Sequence, residues 1–89
     1  MCTYQTETLS VAGSGKGPSG WLRVTDATVY VDHPAHAMAT HTLNIDLLNP
    51  AQGPAARVAV ELHPEAAREL AHAILRSLDA VPAEVLAAG

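Results

Sequence analysis

From Arg57 the chain reads Arg-Val-Ala-Val-Glu-Leu-His-Pro-Glu-Ala-Ala-Arg-Glu-Leu-Ala-His-Ala-Ile-Leu-Arg-Ser-Leu, ending at Leu78. Two periods meet in this stretch. From Ala56 to Leu62, the apolar Val58, Val60 and Leu62 alternate with Arg57, Ala59 and Glu61, the two-residue period of a strand. After His63, Ala67, Leu70, Ala71, Ile74, Leu75, Leu78 and Val81 recur at three- and four-residue intervals, the stripe of an amphipathic helix. Pro64 fits the first helical position, where the N–H it lacks would have no partner, and Glu65 complements the positive end of the dipole. Arg68, Glu69, His72, Arg76 and Asp79 fall off the stripe. The helix stops before Pro82, because the residue preceding a proline is steered away from the α region.

Working back from this strand-to-helix junction, Asn49-Pro50-Ala51-Gln52-Gly53-Pro54 is a strong turn signal. Before it, Leu43, Ile45 and Leu47 alternate with Thr42, Asn44 and Asp46, which predicts a strand over Thr40 to Leu48. A longer strand is expected from Trp21 to His33, ended by Pro34. Within it Leu22 and Val24 have one parity, and Ala27, Val29 and Val31 the other. A pleat of strict period two then needs a bulge or a strong bend near Thr25-Asp26. Gly13 to Gly20 reads as a flexible loop, and Thr3 to Val11 as the first strand.

The order predicts an α+β fold: a four-stranded antiparallel sheet with one C-terminal helix packed on one face (β-β-β-β-α). Residues 1–82 form one domain and 83–89 a short C-terminal tail. The second sheet face carries Thr, Asp, Asn and Tyr30, so it is either wet or an interface with another subunit, and Tyr30 favours the interface.

Composition narrows the function. Net charge is -4 and only five Lys and Arg are present, with no basic stripe beside Tyr4, Trp21 or Tyr30, which argues against nucleic acid and anionic membranes. No apolar run approaches the roughly 20 residues of a membrane span. Cys2 is the sole cysteine, so no disulfide forms within the chain, and residues 1–7 do not resemble an export signal. A soluble, cytoplasmic protein is expected. With no Phe and only 89 residues, the aliphatic core is thin, which favours a homodimer.

Three of the five histidines, His33, His36 and His41, fall within nine residues around one predicted hairpin. His33 shares the parity of Val31, and His41 that of Leu43, so both are expected at the same end of one face, flanking the loop that carries His36. Three converging imidazoles are the ligand set of many open sites for a divalent transition metal such as zinc. Asp32 and Asp46 have the opposite parity and point away. The spacing matches no standard metal motif, and hydrogen-bonded or packed histidines, or a metal-free acid/base site, are the competing readings.

Cys2 would become an N-terminal nucleophile or chelator if Met1 were removed, although an inert thiol is the commoner use of a lone cysteine. Gly13-Ser14-Gly15-Lys16-Gly17 lacks Walker spacing and leads into a strand rather than a helix, so a plain hairpin loop is the better reading.

Met-Cys-Thr-Tyr at the start, Gly-Ser-Gly-Lys-Gly, Ser-Gly-Trp, and Thr-Val-Tyr-Val-Asp-His-Pro-Ala-His-Ala resemble a family of short actinobacterial proteins known only as a domain of unknown function. The likeness continues through His41-Thr42-Leu43-Asn44-Ile45-Asp46. It implies a bacterial, cytosolic protein and assigns no activity. Two functional expectations follow: metal binding through His33, His36 and His41, or a non-catalytic homodimeric module that binds a small molecule or serves an accessory role.

Overall fold

The computed structural model describes residues 4–88; Cys2 and the expected start of the first strand at Thr3 lie outside them. Four strands, β1 (Thr6–Gly17), β2 (Gly20–Asp32), β3 (Thr42–Leu48) and β4 (Arg57–Leu62), are followed by α1 (Pro64–Asp79) and α2 (Ala83–Ala87). The strands form one antiparallel sheet in the order β1-β2-β3-β4. The α+β, β-β-β-β-α architecture expected from the two periods is therefore present. The tail after Pro82 folds into the short helix α2.

The register puts Leu9, Ala27, Leu47 and Val58 in one row, and Val29, Ile45 and Val60 in the next. Val31, Leu43 and Leu62 complete an apolar face. The opposite face carries Thr28, Tyr30, Asn44, Asp46, Arg57 and Glu61.

β1 is longer than its composition suggests. It continues through the glycine run to Gly17, and the turn is only Pro18-Ser19, with Gly20 at φ 112°. Ser10 opposes Asp26 and Gly13 opposes Val24, so Val11 and Ala12 together face the single residue Thr25. This bulge on β1 sits opposite the parity switch of β2 and bends the hairpin. A Cβ on Gly15 would lie 3.3 Å from methyl groups of both Val24 and Val58. The far half of the hairpin thus curls over the sheet until β1 meets β4. The bend lets Val24 and Ala27, of opposite parity, both be buried; they are the buried apolar side chains among the described residues.

The other half of the apolar face stays open. α1 touches the sheet at β3, and its first turn, through Pro64, Ala67 and Arg68, shares a shallow cleft with Val31 and Leu43. Beyond that turn the stripe faces water: Leu70 is 43%, Ile74 53%, Leu75 58% and Leu78 48% exposed. Leu9, Val31 and Val60 on the sheet, and Val85 and Leu86 on α2, are exposed as well.

Candidate functional site

The segment between β2 and β3 holds the histidines. His33 and His41 meet, with ring centroids 4.6 Å apart and planes inclined by 32°. His33 Nδ1 lies 2.9 Å from the carbonyl of Thr40, which can only accept, so this nitrogen carries the proton. Tyr4 closes the other side of His41 edge-on, with centroids 6.0 Å apart. The shared parity of His33 and His41 anticipated their meeting. Composition marks Tyr4 as an aromatic without a basic neighbour and does not reveal this contact. Its signal was register: β1 opens at Thr6 opposite Tyr30, so two residues earlier the chain arrives beside the end of β2.

His36 goes elsewhere. Its side chain lines a hollow with Ala35, Ala37, Arg57, Ala59 and Glu61, above the polar face of β4. Glu61 puts it there. Its carboxylate accepts the backbone N–H groups of Ala35 at 2.6 Å, His36 at 3.0 Å and Ala37 at 3.0 Å. These bonds, Ala35's first, hold the Glu61 carboxyl below its ordinary range, because each favours the ionised form. The sequence marked Glu61 only as a solvent-side residue of an alternating strand. Its task becomes visible only once the register sets β4 under the loop.

Under this loop the polar face is drier than its composition suggested. Thr42 is fully buried and donates to Asn44 Oδ1 at 2.7 Å, and Asn44 is itself buried. Asp46 accepts from Tyr30 Oη at 3.2 Å and from Arg57 Nη2 at 2.9 Å and Nε at 3.2 Å. Burial, and then the negative charge of Asp46, push the Tyr30 phenol above its ordinary value. Among the described residues, every buried side-chain nitrogen and oxygen has a hydrogen-bond partner.

The arrangement therefore divides the predicted triad into a ring pair, His33 and His41, and a separate His36 beside Glu61 and Arg57. Among the described residues no group of three His, Cys, Asp or Glu side chains is placed to hold a metal ion. No helix among them is long and apolar enough to cross a membrane.

Fold and site together define a small sheet-plus-helix domain whose polar residues brace a loop. A family model matches residues 1–87, and the chain belongs to that family, a family of unknown function (DUF6295). No curated protein and no solved structure matches the chain.

Proposed function

We propose that this protein is a non-catalytic accessory module that works as a homodimer. One observation carries the proposal: the single chain leaves too much surface in water. Compact chains of this mass expose about 5,000 Å², whereas this one exposes 6699 Å². Its radius of gyration is 14.8 Å, against about 12 Å for a compact domain of this length. The difference of about 1,700 Å² is twice the roughly 800 Å² that each partner contributes to an ordinary stable interface. The bracing roles of Glu61, Asp46 and His33 support a non-catalytic reading, since each engages the fold. The single cysteine fits a reducing cytosol. Sedimentation equilibrium at micromolar concentration is expected to give twice the chain mass of 9.3 kDa; a monomer would sink the proposal.

A second reading has His33 and His41 bind a divalent transition metal such as zinc, with water or a partner group in place of His36. The closeness of the two rings favours it. Metal analysis of purified protein beside a His33→Ala/His41→Ala variant tests it, and equal, negligible metal in both ends it.

A further inference from the structure

We infer that the two copies exchange helices: the exposed stripe of α1 on one chain covers the open half of the apolar sheet face on the other. This rests on the dimer proposed above and specifies its architecture. The chain carries two apolar surfaces, and each is what the other lacks. One is the stripe Leu70, Ile74, Leu75 and Leu78, each between two-fifths and three-fifths exposed. The other is the open half of the sheet face, where Leu9, Val31 and Val60 are exposed in rows with Val29, Ile45 and Leu43. An amphipathic helix normally buries its stripe on a sheet face of this kind.

The two surfaces are held apart within the chain. Only His63 lies between the end of β4 and Pro64, whose ring fixes φ, and α1 rests its first turn at the Val31–Leu43 corner. A helix of 16 residues is about 24 Å long. After its first turn it carries the stripe away from its own sheet. A two-fold axis beside that corner brings each overhanging helix onto the other chain's open face, and both surfaces are covered by one self-complementary contact. The stripe that begins on the chain's own sheet at Ala67 then continues without a break onto the partner's. The surplus surface of about 1,700 Å² per chain belongs to the range of obligate dimers, whose interfaces resemble a domain core cut in two.

Isotope-filtered NMR on a dimer refolded from equal parts of ¹³C-labelled and unlabelled full-length chain reads the arrangement without any substitution. The expected result is intermolecular cross-peaks from Leu70, Ile74 and Leu78 methyls to Val29, Val31 and Val60 methyls. A dimer whose intermolecular cross-peaks join helix only to helix, or sheet only to sheet, overturns helix exchange and leaves the dimer standing. A monomeric mass with no intermolecular cross-peaks overturns both.

Discussion

Gly15 on β1 stands against Val58 on β4, so close that a Cβ on the glycine would lie 3.3 Å from a valine methyl. Val24 crowds the same point at the same distance. Gly13, two residues earlier, has nothing within 4 Å of its would-be Cβ. Replacing each glycine by alanine should therefore have opposite effects. Gly13→Ala is expected to stabilise by about 0.5 kcal/mol through the unfolded chain. Gly15→Ala forces two stiff β-branched neighbours to move and is expected to cost about 1 kcal/mol net. Urea midpoints at fixed protein concentration would show the two variants on opposite sides of the parent; a Gly15→Ala protein more stable than the parent would refute the close approach.

Glu61 should control the loop that carries His36. Its folded-state pKa lies below the ordinary value of about 4.3, so the ionised form is the one that holds the loop. That contribution is complete above the ordinary value and is lost as pH falls through the lower folded value. The amide shifts of Ala35, His36 and Ala37 are expected to move together in one acidic titration with a midpoint below about 4.3. Glu61→Gln should abolish that transition and raise exchange at all three amides near neutral pH. Three independent midpoints would contradict a single shared carboxylate.

Tyr30 offers the complementary test at high pH. Burial and the Asp46 carboxylate raise its pKa, so the neutral phenol is stabilised in the fold. Its contribution is complete below the ordinary value of about 10 and fades as pH climbs through the raised folded value. In ultraviolet titration one tyrosine should ionise later than a free phenol, and Asp46→Asn should bring it earlier. An unchanged curve in Asp46→Asn would remove Asp46 from the explanation, leaving burial alone.

The stripe of α1 should decide the association state. Ile74→Glu forfeits about 1 kcal/mol of further side-chain burial per copy, since Ile74 is 53% exposed in the single chain, and adds the larger cost of a charge unpaired in an apolar contact. The dissociation constant should rise at least tenfold per copy, visible as a mass falling toward 9.3 kDa on dilution. Arg76→Glu, off the stripe, should leave the mass unchanged. Equal masses for Ile74→Glu and the parent would show that the stripe is not in the contact.

The strands and the helix were legible because their periods are written in side chains. Val58, Val60 and Leu62 set the last strand, Pro64 marks the start of α1, and Asp79 ends it as Pro82 demands. The bend near Thr25-Asp26 was legible from the parity switch, although the extra residue itself is on β1. The glycine run misled for a physical reason: glycine marks loops by its freedom, yet here it serves where a strand must approach Val24 and Val58 without a side chain. His33 and His41 could be paired because both sit at strand ends in a shared register. His36 could not, because its position depends on a carboxylate 25 residues away on another strand.

The curl of the hairpin has a bearing on how the protein stays apart from its neighbours. β1 and β4 are the two outer strands, with backbone groups able to pair with any passing strand. By bringing the Gly15–Gly17 end of β1 onto β4 near Arg57 and Val58, the fold makes each outer strand the cover of the other. On β1 the stretch left for strand addition is Thr6 to Ser10, where Glu7 places a charge among three hydroxyl residues. Strand addition on that side of the sheet must begin there, and a neutral residue at Glu7 would lower the barrier to it.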